Sequence, residues 1–178
     1  MTGPADDVRD ELTELRARVR ALEDVVALHQ LVARYGPAVD SGSADAAASL
    51  WTDDGVFDVP PYAVWTGHDG IASMVEGEGH QALIHGGAAH VLTAPRVVVD
   101  GDQARAWNYA LNIRWAPDEE RFWIGRVSAN EWRFVRQDGG WRAESRLSYT
   151  LDGAAAAREL LGHSAQIDDA TTRRDDGA

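Results

Sequence analysis

Cysteine is absent from the 178-residue chain, which removes disulfides, thiolate nucleophiles and Cys-ligated zinc together. Positive charge is scarce as well: 17 basic against 29 acidic residues leave a formal net charge of −12. Nucleic acid requires a basic footprint and an anionic membrane surface attracts one, so neither is an expected partner. No apolar run approaches the roughly 18 residues of a membrane span. Residues 1–10 lack the basic and then apolar stretches of a signal peptide and read as a flexible leader, so the expected setting is the cytoplasm. Nucleophile and phosphate motifs are missing too. There is no Gly-x-Ser-x-Gly, and the glycine-rich segment 77–87 has no Lys and no strand-to-helix context.

What is present fits one domain, residues 11–162, followed by a polar, acidic tail at 163–178 that reads as disordered. Hydrophobic residues make up 44% and tryptophans number seven, a composition suited to large aromatic walls. From Glu11, apolar residues fall at Leu12, Leu15, Val19, Leu22 and Val26, alternating steps of three and four that place one stripe on a helix. The pattern continues through Leu28, Leu31 and Val32, and Pro37 should end it near Gly36. A short helix over 46–51, a strand at 56–59 and a helix over 68–78 follow. Four longer strands then come in sequence, 90–99, 103–115, 121–136 and 141–151, separated by turns such as Asp100-Gly101-Asp102 and Asp138-Gly139-Gly140. A last short helix covers 154–161. Helices first and an antiparallel meander afterwards make an α+β fold, one curved sheet with helices in its concave face.

Two segments carry the candidate chemistry. Tyr35 and Asp40 leave the end of the long first helix, and His90 opens the first long strand. A carboxylate that meets an imidazole in an apolar pocket is the minimum equipment for moving a proton on a small organic molecule. In the strand 103–115, alternation puts Ala104, Ala106, Asn108, Ala110 and Asn112 on one face. Small residues and two amides suit a cavity wall, with Asn108 or Asn112 hydrogen-bonding a ligand. Trp51, Trp65 and Trp123 are candidate pocket walls. His29 sits mid-helix and reads as structural, whereas His80 and His85 fall in the glycine-rich segment and are expected to meet solvent. The spacing of His80, His85 and His90 fits neither one helix face nor one strand face, so no metal site is expected.

Ala38-Val39-Asp40, Leu50-Trp51-Thr52-Asp53-Asp54-Gly55, Gly67-His68-Asp69-Gly70-Ile71, His90 with Thr93 and Pro95, Asp100-Gly101-Asp102-Gln103-Ala104 and Asp138-Gly139-Gly140-Trp141-Arg142 resemble the SnoaL-like branch of the nuclear transport factor 2-like superfamily. The resemblance covers residues 22–161 and implies a cone-shaped barrel. In site layout the chain is similar to scytalone dehydratase, bile acid 7α-dehydratase and hexachlorocyclohexane dehydrochlorinase, which place an Asp at the end of the first helix and a His at the start of a strand. Asp40 and His90 match that pair, Tyr35 matches a tyrosine five residues before the Asp, and Arg146 matches an arginine on the last strand. The resemblance implies a cofactor-independent lyase acting by β-elimination on a small apolar hydroxylated ring compound. His90 would be the base, Asp40 its orienting partner, and Tyr35 and Arg146 would steady developing charge. An isomerase or polyketide-cyclase-like enzyme with the same dyad, and a non-catalytic ligand-binding protein, are the alternatives. A homo-oligomer, dimer or trimer, is expected through the first helix or the outer sheet face. Alternation along 141–147 puts Arg146 opposite the apolar face, so Arg146 reaches the pocket only if a bulge breaks the strand's period.

Overall fold

A computed structural model describes residues 4–167. The first helix, α1 (Pro4–Asp40), starts seven residues before Glu11, so the described part of the expected leader is helical; residues 1–3 and 168–178 of the expected leader and tail lie outside the described residues. The helix also runs past Pro37 to Asp40 instead of stopping near Gly36. Proline removes the hydrogen bond to the carbonyl four residues back. That residue is Ala33, exposed like Pro37 itself, so the orphaned carbonyl faces water.

The chain continues through α2 (Ala44–Ala48), β1 (Trp51–Val59), β2 (Ala63–Thr66), α3 (Gly67–Glu76) and α4 (Glu78–His85). Ser43 stands at the start of α2 without capping it; its hydroxyl meets that of Ser41 at 2.9 Å. The segment containing His80 and His85, expected as a loop, is mostly the helix α4, with its glycines at Gly77, Gly79 and Gly86 near the two ends. The expected strand 90–99 is two strands, β3 (Ala88–Leu92) and β4 (Arg96–Asp100). Pro95, which has no N–H for a ladder, lies in the break, and both pieces pair with the next strand. Then follow β5 (Gln103–Ala116), β6 (Arg121–Gln137), β7 (Gly140–Thr150) and α5 (Ala155–Gln166).

The seven strands form one curved sheet in the order β2-β1-β7-β6-β5-β3, with β4 also on β5. Only the β1–β7 pairing is parallel, and the sheet does not close into a complete barrel. Its concave face packs on α1 and α3 through Leu28, Val32, Val39, Ile71 and Val75 against Trp51, Trp132 and Phe134. On the convex face, Ala157 and Leu160 of α5 cover Trp107 and Ala129. The α+β architecture agrees with the expectation from the element order.

Two local irregularities position the cavity. Between β6 and β7 the register shifts at Arg133/Phe134, so that Ser145 pairs with Arg133 while Ala143 pairs with Phe134. Glu144 is the extra residue, and the inward face changes phase across it: Trp141 and Ala143 are buried before it, Arg146 and Ser148 after it. The condition for Arg146 to face inward is met. The second is Gly36, where a Cβ would lie 2.4 Å from the carbonyl oxygen of His90. Only glycine lets α1 cross β3 this closely, although it costs the helix about 1 kcal/mol relative to alanine.

Candidate active site

The close crossing at Gly36 brings the last turn of α1 against β3. Asp40 Oδ1 lies 2.5 Å from His90 Nδ1, and its Oδ2 accepts the His90 backbone N–H at 2.8 Å. A carboxylate can only accept, so Nδ1 carries a proton, and in the neutral ring Nε2 keeps its lone pair. Both side chains are largely enclosed, at 15% and 24% exposure for His90 and Asp40. A carboxylate at a helix C-terminus faces the negative end of the helix dipole. The two bonds from His90 offset that placement.

His90 lines a cavity of about 430 Å³, within the range of small-molecule sites. The sheet register orders its wall. His90 on β3 pairs with Asn112 on β5, and Asn112 with Arg126 on β6, so these three stand side by side. At the narrower end Trp132, Arg146 and Phe57 are likewise cross-strand neighbours on β6, β7 and β1. Tyr35 from α1 closes over that row. The Arg146 guanidinium is 4.5 Å from the ring centres of Tyr35 and Phe57 and 4.6 Å from that of Trp132. It is held by three aromatic faces and by Asn130, whose Oδ1 accepts from its Nε at 3.1 Å. Burial lowers its pKa, the Tyr35 hydroxyl working against that. Burial likewise raises the pKa of the Tyr35 hydroxyl, with Arg146 pulling it down, so Tyr35 is a protonated phenol at neutral pH.

His80, expected in solvent, stacks on His90 instead, with ring centres 5.5 Å apart. Its Nδ1 donates to the Val75 carbonyl at 3.1 Å, which leaves a buried Nε2 with no protein partner. Burial first, and then the His90 neighbour, lower its pKa, so it is neutral at pH 7. His85 is exposed.

Of the candidate residues, Tyr35, Trp65, His90, Asn112 and Arg146 line the cavity, with Asp40 behind His90. Asn108 does not. It is 4% exposed, donates to the Thr93 carbonyl and accepts from Trp132 Nε1, fastening the wall from behind. Trp51 is also a core residue, packed on Phe57 and Trp132 rather than on the cavity. Trp123 is exposed on β6, away from the site. Lining residues that the sequence reading missed include Arg126, Ser128 and Ser148 on the sheet, and His80. The first two share strand parity with Asn130, Trp132 and Phe134, an inward face legible by alternation. Arg126 donates to Ser128 Oγ at 2.8 Å and to Ser148 Oγ at 3.4 Å. Among the described residues, no group of three or more His, Asp or Glu is arranged to hold a metal ion, and no helix is long and apolar enough to cross a membrane.

Comparison with known proteins places the chain in a family. Residues 20–147 match the SnoaL-like domain, and the chain belongs to that family. Among solved structures it is similar to a nuclear transport factor 2-like protein with a cystatin-like fold from Novosphingobium aromaticivorans, at 45% identity and a TM-score of 0.81 over 84% of this chain and 96% of that one. It shares its fold with a scytalone-dehydratase-like protein of the same organism, at 21% identity and a TM-score of 0.62 over 73% of this chain and 85% of that one. The same holds for a hexachlorocyclohexane dehydrochlorinase from Novosphingobium barchaimii, at 18% identity and a TM-score of 0.61 over 79% and 90%. None of the curated proteins matches the chain.

Proposed function

We propose that the chain is a cofactor-independent lyase that removes water by β-elimination from a small hydroxylated ring compound. The observation that carries this reading is the 2.5 Å contact between Asp40 Oδ1 and His90 Nδ1 on the wall of an otherwise mostly apolar cavity. His90 Nε2 takes a proton from a carbon next to a carbonyl. The C–H electron pair becomes the new double bond as the β carbon–oxygen bond breaks. The departing hydroxide takes the Tyr35 proton and leaves as water, and Tyr35 is reprotonated from the imidazolium by way of solvent. Asp40 stabilises the imidazolium while it exists, and Arg146, 4.5 Å from the Tyr35 ring centre, stabilises the transient phenolate. Relatives of the same fold that are named for dehydration and dehydrochlorination, both eliminations, support the class of reaction.

A second reading, an isomerase or cyclase with the same dyad, draws weight from Asn112. It stands directly across from His90 and cannot relay a proton, so elimination depends on Tyr35 alone as the acid. Incubation with a β-hydroxy ketone on a fused bicyclic ring, followed by mass spectrometry, separates them. Loss of one water that disappears in His90→Ala supports the lyase. An unchanged mass with a rearranged product supports the isomerase. The absence of any product across a panel of such ketones favours a binding protein.

A further inference from the structure

We infer that the cavity is built for an organic anion, an apolar ring compound carrying a carboxylate that Arg126 and Arg146 hold together. The inference takes from the lyase reading only the position of the reacting end, at His90.

The whole chain carries a formal charge of −12, yet no Asp or Glu is among the residues that line the cavity. The nearest carboxylate is Asp40, and both of its oxygens are engaged by His90. Two guanidinium groups line the same space. Arg146 is 4% exposed, and its Nη1 is buried with no hydrogen-bond partner in the protein. Arg126 is half-buried, donates to the hydroxyls of Ser128 and Ser148, and lies 5.8 Å from the ring centre of Tyr62. Neither forms a salt bridge among the described residues, whereas Arg105, Arg121, Arg133 and Arg136 each do.

An isolated buried cation is costly unless an anion answers it. The two arginines line the same cavity. Arg126 starts beside Asn112 and bonds Ser128, two residues further along β6, and Ser148 on β7, so it leans toward the end of the cavity that holds Arg146. Both cations also act on the Tyr35 hydroxyl. Two guanidinium groups and two serine hydroxyls on the wall of one cavity suit a carboxylate, whose oxygens accept two bonds each. His90 and Arg126 stand two strand spacings apart, roughly 10 Å between backbones. That leaves about one ring system between the anchored anion and the carbon that His90 would reach.

The test is binding, not turnover: isothermal titration with 2-naphthoate and with its neutral isostere 2-naphthamide. The wild-type protein should prefer the carboxylate about ten-fold or more, and Arg126→Gln and Arg146→Met should each erase most of that preference. His90→Gln should keep it, which separates this inference from the lyase reading. Should Arg146→Met fail to fold, Arg126→Gln alone decides. Equal affinities in the wild type, no binding of 2-naphthoate at millimolar concentration, or a preference that survives Arg126→Gln would overturn the inference.

A second inference comes from the other end of the molecule. We propose that the N-terminal half of α1 pairs with the same helix of a second copy as a parallel two-stranded coiled coil. Val8, Leu12, Leu15, Val19, Leu22 and Val26 alternate steps of four and three, and all are exposed, from 46% to 67%. With about 100° of rotation per residue, this stripe lies nearly opposite the face that buries Leu28, Leu31, Val32 and Tyr35, so the helix's own domain cannot cover it. In that heptad frame Glu11 and Arg18 precede core positions, and Arg16 and Glu23 follow them. A parallel, in-register pair sets Glu11 against Arg16 of the second copy, and Arg18 against its Glu23. An antiparallel pair instead opposes Arg16 to Arg16 and Arg18 to Arg18.

Sedimentation of the full chain at tens of micromolar should give a dimer, with Leu15→Glu monomeric and still folded. Glu11→Arg should weaken the dimer and the added Arg16→Glu should restore it. A wild-type monomer or trimer, or a dimer indifferent to Glu11→Arg, would overturn the proposal.

Discussion

Where α1 meets the ends of β6 and β7, opposite charges answer one another. Asp24 accepts from Arg136 at 2.8 Å and from Trp141 Nε1 at 3.0 Å, while Arg136 also bonds Asp102 and lies 4.4 Å from the Trp141 ring centre. In the cavity the same kinds of group are kept apart. Asp40 is given to an imidazole, and Arg146 is held by three aromatic rings and an amide. The pKa values move accordingly: the Asp24 partnership raises that of Arg136, whereas burial lowers that of Arg146. Both arginines stack on tryptophan, so stacking does not distinguish them. The counter-charge does. A satisfied pair fastens a helix to a sheet, while separated charges leave a base and a cation available to something that enters.

Breaking the separated set should have the largest effect. Asp40→Asn and His90→Ala should each lower turnover by about 10²–10⁴-fold with the fold intact, measured as initial rates beside a circular dichroism melt. Exchanging the two arginines for methionine contrasts the regions. Arg136→Met should lower the unfolding free energy by roughly 1 kcal/mol in denaturant titration and leave turnover unchanged. Arg146→Met should abolish most turnover while stability stays within about 1 kcal/mol of the wild type, because an uncompensated buried charge is lost together with one bond to Asn130. Gly36→Ala tests the crossing that brings Asp40 to His90. Helix propensity alone favours alanine by about 1 kcal/mol. The Cβ would nonetheless push His90 off Asp40, so turnover should fall at least about ten-fold, the bond itself being worth roughly 1–3 kcal/mol.

The smallest effects are in pH dependence. Hydrogen bonding from Arg136 lowers the pKa of Asp24, so the stability it supplies is complete above the unfolded value of 3.8 and is lost as pH falls through the lower folded value. Asp24→Asn should flatten the acid limb of the stability profile. Burial lowers the pKa of His80, and the stability held by its neutral form is likewise lost as pH drops below the unfolded value of 6.5. His80→Gln should remove that earlier part of the slope.

Much of this was legible in the chain. The three long strands β5, β6 and β7 were readable from alternation and turn residues, and the wall face of β5 from its alternating alanines and asparagines. Asp40 and His90 were readable as candidates, but their meeting depends on Gly36, whose role is visible only when β3 lies against it. Arg146 needed a bulge at Glu144, and no local feature of Ala143-Glu144-Ser145 announces one. Asn108 and Trp51 were assigned to the cavity on residue type, but inward-facing positions at the packed end of the cone are core, not lining. Trp123 was misjudged because composition says nothing of where β6 leaves the core. His80 was missed because α4 is two turns long, too short for periodicity to reveal beside three glycines. Arg126 was readable from parity with Ser128 and Asn130, but an arginine on a strand looks like a solvated side chain until its hydrogen bonds are known.

The most direct test of the central claim is nitrogen-15 NMR of the histidine side chains near neutral pH. The account predicts that neutral His90 carries its proton on Nδ1, hydrogen-bonded to Asp40, with Nε2 free, and that Asp40→Asn destroys this preference. A neutral His90 protonated on Nε2, or a spectrum unmoved by Asp40→Asn, would contradict it.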